Sequence, residues 1–469
     1  MPVIAAFMVP HPPLIVPAVG RGGEAQIAET TKAYEEIASQ IAALQPETII
    51  ISSPHAVMYA DYFHISPGKE AFGSFSQFRA PSVSFHEKYD TELVKRITEL
   101  AEKNSFPAGS LGERDRELDH GVMVPLYFIR KKYQEMKNTV KQDFKIVRVG
   151  LSGLPLTDHY RFGQLIREAV EKTGRRTVFV ASGDLSHKLQ AAGPYGFAPE
   201  GPEYDSRIMD VCSRGAFGEL FDFEESFCEK AAECGHRSFV IMAGVLDGTA
   251  VRAKAYSHQD ITGVGYGICS FYPEGEDEKR RFLDTYLVKL QEEIETQKDN
   301  SDEYVRLARK ALESWILEKK RLPMPKDLPE EMKTKKAGTF VSIHEYGHLR
   351  GCIGTILPVE SCIAQEIISN AISASTRDPR FDPITPAELK WLEISVDILG
   401  DPVPIDSPDQ LDVKRYGVIV SARGKRGLLL PDLPGVDTVE QQISIARQKA
   451  GIGPEEKVSL QRFEVVRHL

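Results

Sequence analysis

Three histidines stand where strand-like runs end. His11 follows the apolar run Pro2–Val9 in V-P-H-P-P-L, His55 follows Glu47–Ser52 in S-S-P-H, and His187 follows Thr177–Ala181 in A-S-G-D-L-S-H-K. Imidazole binds metals and carries protons near neutral pH. In open α/β sheets ligands bind beyond the carboxyl ends of the strands, so three such histidines can converge although far apart in sequence. Prolines beside His11 and His55 stiffen the loops that hold them. His120, in E-L-D-H-G-V-M-V-P-L, is a fourth candidate. Asp119 is placed either to orient its ring or to cap a helix over Val122–Tyr133, and the two roles are compatible. Gly121 permits a close backbone approach. Taken singly, a histidine at a strand end is more often an ordinary loop residue. The shared placement singles these out, whereas His64, His86, His159 and His258 lack it and read as structural.

The elements that must position these side chains alternate. Pro2–Val9, Glu47–Ser52, Lys145–Leu151 and Thr177–Ala181 are apolar runs of strand length, as expected for strands buried on both faces. Gly23–Leu44 and Leu156–Thr173 carry helical periodicity, and Arg237–Leu246 reads as a buried helix. Val251–Tyr256 and Gly265–Tyr272 read as closing strands. This alternation predicts an α/β sheet, at least partly parallel. Phe72, Phe75, Phe78 and Tyr62 fall in a stretch that reads as irregular, and either wall an aromatic pocket or form satellite core. Tyr195, Tyr204 and Tyr266 are further donors without a spacing argument.

The composition then changes. Pro273–Lys298 is rich in charged residues, which places a linker at 279–299 between a first domain at 1–278 and a second at 300–469. The second half reads as a helix over Glu303–Lys319, then strand, helix, three strands and a final helix over Thr438–Ala450. Alternating strands with sparse helices predict α+β with an antiparallel sheet.

The 469 residues carry a net charge of -10, so nothing in the balance points to nucleic acid or an anionic membrane. The six cysteines form no C-x-x-C pair, which argues against a disulfide framework, a zinc ribbon or an iron–sulfur cluster and fits a reducing, cytosolic compartment. Met1–Gly20 lacks a basic n-region and carries prolines and a histidine, so it reads as a buried strand and a turn rather than a leader. No stretch is long and apolar enough to span a membrane. A homo-oligomer stays open.

H-P-P-L, S-P-H, D-H-G-x-x-V-P-L and S-G-D-L-S-H, in that order, resemble the class III extradiol ring-cleavage dioxygenases, the LigB-like fold that also includes the Memo proteins. The resemblance implies Fe(II) held by two histidines and a glutamate, with open positions for a catechol-like substrate and dioxygen. Carried over by motif, His11 and His55 are the imidazole ligands and Glu233, in A-A-E-C-G-H-R-S, the carboxylate. His187 matches the acid–base histidine and His120 the one that polarises substrate. Memo-type proteins put a cysteine in place of the glutamate, and Cys234 is the alternative third ligand. A carboxylate suits Fe(II), and a thiolate suits Cu(I) or zinc. The expectation favours Glu233.

The string His348-Leu349-Arg350-Gly351-Cys352-Ile353-Gly354-Thr355 reads as a tight Gly-rich turn after a strand. It resembles the hallmark of the AMMECR family domain. D-P-R-F from Asp378, L-E-I-S-V from Leu392, Y-G-V-I-V from Tyr416, G-L-L-L-P from Gly427 and K-A-G-I from Lys449 extend the likeness. Cys352 is either a reactive thiolate activated by Arg350 or a core residue of a turn, with the structural or binding reading preferred. Arg423–Arg426 reads as a solvated hairpin turn. The fusion resembles the grouping called AmmeMemoRadiSam, whose radical S-adenosylmethionine member would be a partner, since its cluster cysteines are missing here.

Three functions follow as expectations. The first is an Fe(II)-dependent dioxygenase acting on a small aromatic. The second is a Memo-like metal-binding partner without ring cleavage. The third is other redox chemistry run with the radical partner.

Overall fold

Apolar Val3–Val9 (β1) is buried almost throughout, and it forms the middle of a six-stranded sheet. The computed structural model describes residues 2–112, 114, 117–140, 143–433 and 435–469. Beside two short strands that pair with each other, Phe63–His64 and Ala108–Gly109, the first half holds β2 (Thr48–Ser53), β3 (Glu70–Phe75), β4 (Ala80–Lys88), β5 (Lys145–Gly150), β6 (Thr177–Ser182), β7 (Thr249–Gln259) and β8 (Tyr266–Glu276). The main sheet runs β5-β2-β6-β1-β8-β7. Its first four strands are parallel, and β8 and β7 close the edge antiparallel. The mixed α/β expectation is met. β2 and β6 have no exposed residue, in keeping with burial on both faces.

Helices α1 (Ala28–Leu44), α2 (Thr91–Lys103), α3 (His120–Glu135), α4 (Leu156–Thr173), α5 (Glu200–Arg214) and α6 (His236–Val245) cover the sheet. Asp119 caps α3, its carboxylate accepting from Val122 N at 3.2 Å. The stretch read as irregular is a hairpin, β3 with β4. It alternates, so Phe75 reaches the core while Phe72 is 47% exposed and stacks on His86.

The chain divides into two compact units, Met1–Tyr286 and Leu287–Leu469. The charged stretch read as a linker at 279–299 is mostly helical, within α7 (Phe282–Asn300). The second unit holds α8 (Glu303–Glu318), β9 (Thr339–Glu345), β10 (His348–Gly354), α9 (Ile363–Thr376), β11 (Leu392–Leu399), β12 (Val403–Ile405), β13 (Tyr416–Ala422), β14 (Lys425–Leu429), α10 (Val439–Lys449) and β15 (Ser459–His468). Its sheet runs β10-β9-β11-β15-β13-β14 with β12 on β15, antiparallel throughout. This is the α+β arrangement expected.

The L-R-G-C-I-G string is strand β10, which corrects its reading as a turn. The turn lies just before it at Tyr346 and Gly347, with φ of 52° and 77°. Gly351 serves packing instead, because a Cβ there would lie 2.2 Å from the Ala374 carbonyl of α9. Among the described residues no helix is long and apolar enough to cross a membrane.

Candidate metal centre

β6 lies between β1 and β2 in the sheet, so the carboxyl ends of three adjacent parallel strands open onto one place. His11 leaves β1, His55 leaves β2, and Asp184 and His187 leave β6. His120 enters from the first turn of α3. Among the described residues, the ligand atoms of His11, His55 and His120 lie within 4.8 Å of one another.

The rings are held from behind. His11 Nδ1 is 3.0 Å from Ser182 Oγ, and that hydroxyl donates to the Gly121 carbonyl at 2.6 Å. With its proton committed, the hydroxyl accepts from Nδ1–H, so the His11 Nε2 lone pair faces the site. His11 Nε2 is 3.0 Å from His55 Nε2. Two imidazole nitrogens on one ion, at about 2.1 Å and a right angle, stand about 3.0 Å apart. His120 stacks on His55 at 4.1 Å between centroids and meets Phe78 edge-on at 5.4 Å. Burial, then the neighbouring His55, pushes both His11 and His120 down to about 3. Neutral rings with lone pairs turned inward repel one another, and a cation resolves that repulsion.

The structure separates the two candidates for a further ligand. Cys234 Sγ lies 3.6 Å from His11 Nε2 and accepts from the Asp184 N–H at 3.3 Å. Glu233 is turned elsewhere: its carboxylate accepts from His236 N at 2.6 Å, at the start of α6. Burial pushes Glu233 up to about 7. The histidines that gather are His11, His55 and His120 rather than His11 and His55 alone, Cys234 lies against His11, and the Glu233 carboxylate accepts from the start of α6.

Asp184 had no assigned role in the sequence reading, although it stands inside S-G-D-L-S-H. Its Oδ1 accepts from His11 N at 2.7 Å, and its Oδ2 is 3.9 Å from both His11 Nε2 and His187 Nε2. Burial pushes it up to about 6. His187 is outside the three-histidine group, one carboxylate away, and stacks on the exposed Tyr195 at 5.0 Å. Asp119 does not contact the His120 ring through a hydrogen bond. It caps α3, accepts from Ser53 Oγ at 2.6 Å and pairs with Arg148 at 3.1 Å. Tyr204 and Tyr266 are buried, Tyr204 Oη lying 3.3 Å from His236 Nδ1. In the second unit Arg350 pairs with Glu388 at 2.7 Å rather than serving Cys352.

The family of the catalytic LigB subunit of aromatic ring-opening dioxygenase matches residues 5–269, and the AMMECR1 family matches residues 305–468. A protein of Clostridium acetobutylicum is 41% identical over 470 residues, covering 98% of each chain. A Thermotoga maritima protein is 48% identical over 168 residues, 35% of this chain and 96% of its own length. Among solved structures, an uncharacterised protein of Pyrococcus horikoshii is 32% identical with a TM-score of 0.33, covering 35% of this chain and 88% of that one. An uncharacterised Escherichia coli protein is 13% identical with a TM-score of 0.37, covering 57% and 99%. The family match over more than half of the chain shows that it belongs to the family of the catalytic LigB subunit of aromatic ring-opening dioxygenase, joined to an AMMECR1 domain.

Proposed function

We propose that the N-terminal domain holds one Fe(II) ion on His11, His55 and a third group from His120 or Cys234, and carries out oxygen-dependent chemistry on a small catechol-like aromatic. The observation that carries this reading is the convergence of three imidazoles, two of them neutral well below physiological pH, at adjacent strand ends. An Fe(II) ion held by these residues would supply the oxygen chemistry, and the protein supplies geometry and proton transfer. Ser182 fixes the His11 tautomer. Phe78 gives an apolar wall against His120. His187, with Asp184 behind it, can hold or release a proton at Nε2 beside bound substrate.

Cys234 favours a second reading. A thiol in the cluster, with Glu233 turned to cap α6, suits Cu(I) or zinc and a Memo-like metal-binding role. In that role the chain serves a radical S-adenosylmethionine partner and opens no ring.

One experiment separates them: metal content of anaerobically purified protein, wild type beside His55→Ala, followed by oxygen uptake on adding catechols. Stoichiometric iron that is lost in the variant, with oxygen consumed, is the expected result. Copper or zinc without oxygen uptake gives the second reading, and co-purification with the radical protein then tests the partnership. No metal in either protein removes both.

A further inference from the structure

Cys352, on β10, opens onto a cleft of about 1370 Å³ that lies wholly within the second unit. Ser342 Oγ donates to its sulfur at 3.3 Å. Asp378 accepts from Cys352 N at 2.9 Å and pairs with Arg380 at 2.7 Å. Phe340, Leu349, Ile353, Leu428 and Leu430 give the cleft apolar walls. A concave, mostly apolar space with a few convergent polar groups is the usual form of a small-molecule site.

The charges lining it are unevenly answered. Arg380 and Arg467 each have a carboxylate, Asp378 and Asp397. Lys449, Lys298 and Arg309 have no ion-pair partner among the described residues. Lys449 acts electrostatically on Cys352 and Arg380, at the Cys352 end. Arg309 donates once, to the Leu392 carbonyl at 2.9 Å, and its buried Nε and Nη1 find no acceptor. Burial pushes all three cations below their ordinary values. Lys449 is exposed at the mouth and Lys298 and Arg309 are partly buried; for Arg309, whose Nε and Nη1 are buried, lacking a counter-ion is costly, and an anion brought into the cleft relieves that cost. Of the four acids lining the cleft, Asp378 and Asp397 are paired with arginine, burial pushes Glu393 up, and Asp432 is exposed and acts on Arg467.

We propose that this cleft binds a small organic anion, a carboxylate or phosphate monoester on an apolar body, with the anionic group at Lys449 beside Cys352.

Alkylation of Cys352 in the full chain, read by peptide mass spectrometry, tests this. Iodoacetate and iodoacetamide are near in size and differ in charge. The expected ratio of their rates at Cys352 is about tenfold above that of the urea-unfolded chain, as local electrostatic focusing gives. Lys449→Gln returns the ratio to the unfolded value. Phenyl phosphate and benzoate protect Cys352 in wild type, benzyl alcohol does not, and the stronger protector identifies the anionic group. An unfolded-like ratio, a Cys352 that reacts with neither reagent, or equal protection by benzyl alcohol overturns the proposal. Should Lys449→Gln fail to fold, the wild-type protection series decides alone.

Discussion

At the residue scale, a single hydroxyl decides which nitrogen His11 presents. Ser182 Oγ gives its proton to Gly121 and takes the His11 Nδ1 proton, leaving Nε2 for a ligand. Ser182→Ala keeps the packing of a small buried side chain but frees the tautomer. Metal affinity, measured by competition with a chromogenic chelator, is expected to fall about 10–100-fold while the fold is retained. Asp378 makes a second prediction. Its hydrogen bonds to Arg380, and then to the Cys352 N–H, hold its carboxyl down at about 2. A depressed carboxyl stabilises the fold above its unfolded value near 4, and that contribution is lost as pH falls through about 2. Arg380 is half exposed, so solvent screening leaves about 1–2 kcal/mol. Asp378→Asn is expected to be less stable by that amount at pH 7. Its deficit against wild type should close between pH 4 and 2 in urea melts; a deficit independent of pH would show that the charge is not the cause.

At the element scale, the site depends on how closely two backbones approach. A Cβ on Gly183 would lie 2.1 Å from Gly235 Cα, so the end of β6 and the loop before α6 touch only because both are glycine. That contact sets Asp184 and Cys234 beside His11. Gly183→Ala must push the loop away, at about 1–3 kcal/mol. It is expected to weaken metal binding more than Ser182→Ala does, and to lower the thermal midpoint of the first unit. An unchanged midpoint and affinity would mean the loop yields freely. The periodicity that located β1, β2, β5 and β6 is simple, because strands buried on both faces must be apolar throughout. The β3–β4 hairpin escaped the same reading because Gly73 and polar residues interrupt its alternation. β10 escaped because its glycines suggest a turn, whereas Gly351 makes room for α9.

At the scale of the whole molecule, each unit has its own hydrophobic core. One is built from β1, β2, β6, α1 and α3, and the others from α8, α9 and the antiparallel sheet. The second unit, Leu287–Leu469, is compact by itself. Residues 287–469 expressed separately are therefore expected to fold with a cooperative transition, checked by urea denaturation followed by circular dichroism. A fragment that melts without cooperativity would show that the second unit needs the first.

The sequence by itself determined the two folds and singled out the histidines that gather, His11, His55 and His120. Apolar runs fix strands, helical periodicity fixes helices, and His11, His55, His120 and His187 declare themselves by following those elements. Glu233 and Cys234 are neighbours, and composition treats them alike. Only the tertiary structure shows where each is turned: an N–H at the start of α6 takes the Glu233 carboxylate, and the Cys234 thiol lies against His11. The same holds for Arg350, whose charge is answered by Glu388, and for Lys449, which acts on Cys352 from a residue far along the chain. Side-chain direction and long-range partners are settled by packing, and local sequence does not carry them.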